Sequence, residues 1–63
     1  MGNFLKITDS NGVIRLISVH FISHINRYNG SNSKSKIFLL SGKTQIAQES
    51  LEQLLEQDRE NRQ

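Results

Sequence analysis

The chain has 63 residues, 22 of them apolar, with no cysteine, proline or tryptophan and a formal charge of +2. A chain this short buries a smaller fraction of its surface than a longer one, and without cysteine it has neither disulfides nor thiolate zinc sites to staple it. The composition argues against a self-contained enzyme, whose pocket needs a larger scaffold, and leaves association with a second copy as the remaining staple.

Leu5 and Ile7 alternate with Lys6 and Thr8, which predicts a short strand from Asn3 to Thr8. Asp9-Ser10-Asn11-Gly12 follows, and Asn-Gly tolerates the positive φ angles of a type I′ hairpin turn. The return strand is Val13 to Ile17. Val19, Ile22 and Ile25 recur at steps of three, so a bend is expected near Val19–Phe21 and a strand from about Ile22 to Tyr28. Residues 29–36 (Asn-Gly-Ser-Asn-Ser-Lys-Ser-Lys) contain nothing apolar and read as an exposed hairpin loop. Ile37 to Leu40 is a continuous apolar run and reads as a buried strand. Gly42-Lys43 turns the chain into a last strand, Thr44 to Ala47.

The C-terminal helix, about residues 50–60, has the clearest signature. Ser50 and Gln53 fit a capping box, Glu49 and Glu52 suit the positive end of the helix dipole, and Leu51, Leu54 and Leu55 form the stripe that docks on the sheet. Beyond Leu55 nothing is apolar. Glu56–Arg59 and Asp58–Arg62 can pair at i+3 and i+4, and the last turns are expected to fray. The fold class is α+β: one domain, a four- or five-stranded antiparallel meander with one C-terminal helix. Val13-Ile14 with Leu16-Ile17, and Ile37 through Leu40, carry apolar side chains on both strand faces, which normally means cover on both sides. One short helix covers only one, so the other needs a second subunit or a sheet curled on itself into a small barrel, and a homodimer or small ring is the favoured expectation.

Residues 1–46 carry a net charge of +5 and residues 47–63 a net charge of −3. A basic body with an acidic tail suits anionic partners or contacts between copies. No apolar run approaches the roughly 18 residues of a membrane-spanning helix, and the N-terminus lacks a signal-peptide pattern. The expectation is a cytoplasmic protein of a bacterial or infected host cell, with no membrane partner.

No cysteine nucleophile or paired carboxylate is present, so no catalytic residue and no cofactor is assigned. His20 and His24 would share a helical face at i, i+4, as zinc ligands do, but no acid or cysteine lies nearby to complete the shell. They read as polar surface or interface histidines, and no metal site is assigned. In the loop, Lys34 and Lys36 supply charge while glycine and serine let backbone N–H groups approach an anion. Arg27 and Tyr28 stand just before it, placed to grip a phosphate and a base or ribose. An RNA-binding sheet would need aromatics on exposed strand faces, for which Phe4 and Tyr28 are the candidates.

Ile37-Phe38-Leu39-Leu40-Ser41-Gly42-Lys43, followed by Ile46-Ala47-Gln48-Glu49-Ser50-Leu51, resembles the FlbD/SwrD family of small bacterial flagella-associated proteins. There a strand, a polar-Gly-Lys turn, a second strand and a Glu-Ser step lead into a terminal helix. The Asn11-Gly12 hairpin and the Ile22…Ile25 spacing fit the same pattern, while the loop at 31–36 and the polar tail depart from it. The resemblance implies a small non-enzymatic accessory protein and transfers no binding residue.

Three functions follow as expectations. The first is a small oligomeric protein that sequesters or senses a small anionic, nucleotide-like ligand at a subunit interface, through Arg27, Tyr28, Lys34 and Lys36 with His20 or His24. The second is a protein-interaction accessory or regulator. The third, with the thinnest support, is nucleic-acid binding by the basic body.

Overall fold

The computed structural model describes residues 4–61. Five strands and one helix run in the order β1 (Phe4–Thr8), β2 (Ile14–Ser18), β3 (Ile22–Arg27), β4 (Ser35–Leu39), β5 (Thr44–Ala47) and α1 (Leu51–Asn61). All strand pairs are antiparallel, and the α+β class with a C-terminal helix is as the sequence predicts. The strands divide between two sheets, a hairpin β1–β2 and a three-stranded sheet in the order β3–β4–β5. The sheets meet at one corner, where the Gln48 N–H donates to the Thr8 carbonyl at 2.8 Å.

Of the three hairpin connections, the tight turns β1–β2 and β4–β5 use the same backbone scheme. Asp9 N–H donates to Val13 C=O and Gly12 N–H to Asp9 C=O; likewise Leu39 N–H donates to Lys43 C=O and Gly42 N–H to Leu39 C=O. Gly12 has φ +83° and Gly42 φ +92°, while Asn11 is not among the positive-φ residues. The first turn is therefore a three-residue loop ending in a left-handed glycine, which corrects the expected type I′ turn. Gly12 takes the left-handed position, and the Asp9 carboxylate braces the loop by accepting N–H bonds from Asn11 and Val13, each at 2.9 Å. Asp9 is buried and also pairs with Arg15 Nε at 2.8 Å. The Arg15 bond, with the backbone donors, holds its carboxyl below the usual carboxylate range.

The bend at Val19–Phe21 is a single 3-10 turn capped by Ser18, whose Oγ accepts the His20 N–H. A second such turn, Tyr28–Gly30, uses left-handed Asn29 and Gly30 to enter the loop. The polar segment is shorter than expected at its C-terminal end, because Ser35 and Lys36 already belong to β4. Ser35 is fully buried, since its hydroxyl finds a partner in the Glu49 carbonyl at 2.9 Å.

The capping box forms as read: Gln53 N–H donates to Ser50 Oγ and Ser50 N–H to Gln53 Oε1. Leu54 enters the core beside Ile7, Ile37 and Ala47, with Ile17, Ile22, Ile25 and Leu39 packed around it. Leu51 is half-buried. Leu55, expected to dock with them, is 56% exposed, because one turn of helix faces the sheet squarely enough to bury one leucine only. Glu56 and Arg59 lie 3.7 Å apart. Arg62, the expected partner of Asp58, and Asn3, the expected start of the first strand, fall outside the described residues. No helix is long and apolar enough to cross a membrane among the described residues.

Candidate functional site: the outer face of the three-stranded sheet

Alternation along β4 sends Ser35, Ile37 and Leu39 toward the core and Lys36 and Phe38 outward. Register then fixes their neighbours. Lys36 lies between Asn26 of β3 and Ile46 of β5, and Phe38 between His24 of β3 and Thr44 of β5. A bulge between Ile22 and His24 shifts the register of β3 and sets His24 opposite Phe38. The two rings stack with centroids 4.2 Å apart and planes 16° from parallel. The Lys36 ammonium stands 5.4 Å from the Phe38 centroid, within cation–π range. Ser23 Oγ lies 3.1 Å from His24 Nδ1.

Each ring covers one face of the other and Lys36 stands over Phe38, so the arrangement offers the outer face of His24, an adjacent cation and a row of neutral hydrogen-bonding groups. Lys36 makes no ion pair among the described residues, so its charge is available to an incoming anion. His24 is exposed and Phe38 half-buried, as a stacking platform requires.

The six residues singled out in the sequence are distributed as follows. His24 and Lys36 meet on this face through Phe38. Lys34 is exposed in the loop just before β4, and its carbonyl accepts the Tyr28 N–H at 3.1 Å. Tyr28 is half-buried at the start of its turn. Arg27 shares its parity with Ile25, on the side of the sheet nearest α1, and its guanidinium is committed to Glu52 through bonds of 2.5 and 3.1 Å. That pairing raises the Arg27 pKa and lowers that of Glu52. His20 is exposed in the first 3-10 turn. Among the described residues no cluster of three His, Asp or Glu side chains has the placement to hold a metal ion.

Phe38 is the residue that sequence reasoning passed over, being read as part of a buried run. The alternation Ile37-in, Phe38-out was the available signal, and it needed β4 to be central with one open face. Asp9 was missed as well: it is the one buried carboxylate among the described residues, and its position at the head of a turn ending in glycine was the clue.

Away from this face, a concavity of about 290 Å³ lies between β1, β3 and α1. Leu5, Ile22, Ile25, Leu51 and Leu55 line it, with Asp58 as its charged member.

No family model, no curated protein and no solved structure matches the chain.

Proposed function

We propose that this chain is a non-catalytic binding protein for a small anionic ligand bearing a planar base, of the nucleotide type, taken on the outer face of β3–β4–β5. The observation that carries the reading is the His24–Phe38 stack with the unpaired Lys36 ammonium beside it. A base laid on the outer face of His24, which Phe38 backs, gains about 1–3 kcal/mol from stacking. Lys36 meets the phosphate, Lys34 adds a second cation nearby, and Asn26 supplies directional hydrogen bonds. Arg27, bound to Glu52, positions β3 against the helix in place of gripping the ligand.

Calorimetric titration with a panel of mono- and dinucleotides tests the reading. The expected outcome is heat with at least one member, weakened tenfold or more by Phe38→Ala or Lys36→Ala. No heat with any, at protein concentrations about 100 times a micromolar Kd, sinks it. Binding restricted to oligonucleotides and falling steeply with salt reassigns the face to nucleic acid.

A second reading, a protein-interaction accessory as the FlbD/SwrD resemblance implies, draws support from the apolar groove beside α1. On that reading a pull-down yields one stoichiometric protein, and Leu55→Glu abolishes its capture.

A further inference from the structure

The two edges of the β1–β2 hairpin are treated differently. On the β1 side, Lys6 N–H donates to Gln57 Oε1 and Lys6 C=O accepts from Gln57 Nε2, both at 2.8 Å. Thr8 N–H donates to Glu49 Oε1, and its carbonyl accepts from Gln48. That edge is closed by side chains and the β5–α1 linker. On the β2 side the alternation of the ladder points the backbone N–H and C=O of Ile14 and Leu16 away from β1, and they make no hydrogen bond to another described residue. An open edge of this kind is a template for another strand. Its one charge, Arg15, lies on the inner face opposite Ile7, where it pairs with Asp9, while Ile14 and Leu16 on the outer face are 61% and 66% exposed. Of the outer strands of the other sheet, β3 is interrupted by its bulge and holds the Arg27–Glu52 pair, and β5 is four residues long with the Ile46 carbonyl already accepting from the Gln45 side-chain amide.

We infer that β2 is a dimerisation edge, where β2 of a second copy adds antiparallel about a two-fold axis through Leu16, joining two hairpins into one four-stranded sheet. The edge is self-complementary. With Leu16 opposite its own copy, Ile14 faces Ser18, and each outward N–H meets a carbonyl. On the exposed face Phe4 neighbours Ser18 in the same copy. Ser18 is small enough for the partner's Ile14 to approach Phe4 across it. The two leucines and the two Phe4–Ile14 contacts then make one continuous apolar stripe. Lys6 neighbours Leu16, so the two Lys6 side chains sit three strand spacings apart, about 14 Å, beyond the screening length of about 8 Å at physiological ionic strength. The contact is isologous and closes at two copies. It also supplies the third and fourth strands that an isolated two-stranded sheet lacks. β2 has five residues against the roughly 20–30 a side of a standard stable interface, so a weak dimer is expected, with a dissociation constant on the order of 10–100 µM.

Sedimentation velocity from about 10 µM to about 1 mM spans that range. The expected result is a rise from the 7.2 kDa of one chain to twice that mass. Leu16→Lys places like charges on the axis and is expected to weaken association at least tenfold, with an unchanged circular dichroism spectrum because the side chain is exposed. The chain has no cysteine, so single cysteines report the register: Leu16→Cys crosslinks under mild oxidation, and Lys6→Cys does not. A wild-type mass of one chain throughout overturns the inference and leaves the edge to a segment of another protein. A dimer that survives Leu16→Lys, or that crosslinks through Lys6→Cys and not Leu16→Cys, overturns it by placing the interface elsewhere.

Discussion

Strands β2 and β4 stand in opposite surroundings. β4 is bonded on both sides, to β3 and β5, and its inner face joins Ile7, Ala47 and Leu54 in the core, so Ile37 is fully buried. β2 is bonded on one side only, and Ile14 and Leu16 are as exposed as surface residues. The turns that follow β1 and β4 share one backbone scheme, so turn geometry does not make the difference. Position in the sheet does. A central strand gains cover from both neighbours, whereas an edge strand keeps whatever its one neighbour and the helix leave open. The molecule thus presents two chemically distinct surfaces, an aromatic and cationic face on β3–β5 and an apolar edge on β2.

The sharpest way to break this contrast is to truncate one side chain in each strand. Ile37→Ala removes three carbons from a closed core and is expected to cost about 2–4 kcal/mol by denaturant titration. In dilute protein Ile14→Thr is expected to stay within about 0.5 kcal/mol of wild type. Equal losses would mean that β2 is as enclosed as β4.

Asp9 comes next, because it anchors the first turn through Asn11, Val13 and Arg15, and Leu39 at the matching position of the second turn has no such group. Its carboxyl is held below its ordinary value of 3.8, so the stabilisation it gives is present above that pH and is lost as pH falls beneath it. Asp9→Asn should lower the melting temperature at neutral pH and flatten the acid limb of its pH profile. Parallel profiles for the two proteins from pH 7 to about pH 2 would remove this assignment.

Smaller effects probe the supports of each strand. Ser35→Ala leaves the Glu49 carbonyl without its donor at the start of β4, an expected loss of about 1–2 kcal/mol. Gly12→Ala and Gly42→Ala meet no steric obstacle but force a side chain into the left-handed region. Each should cost about 1 kcal/mol, and by nearly the same amount, since the two turns are built alike.

Much of this fold was legible in local sequence. The Ser50–Gln53 box and the bend at Val19–Phe21 depend on interactions within a few residues, and each forms where its pattern lies, whereas of the leucine stripe Leu54 is buried, Leu51 half-buried and Leu55 exposed. The candidate site was legible only in part. Lys36 and His24 were identifiable as charged and polar groups, but their meeting at Phe38 depends on a strand pairing across fourteen residues and a bulge that shifts it. Arg27 looked free because Glu52, which binds it, is 25 residues away in sequence.

What the sequence by itself determined was the kind and order of elements, because periodicity, caps and turn residues act at short range. What only tertiary structure decided was the fate of their faces. Ile14-Arg15-Leu16-Ile17 and Ile37-Phe38-Leu39-Leu40 are nearly equivalent as apolar runs, yet one became an open edge and the other the middle of a sheet. Hydrophobic burial has no direction of its own, so which face is covered depends on which partners arrive, and that is settled by pairing between distant segments.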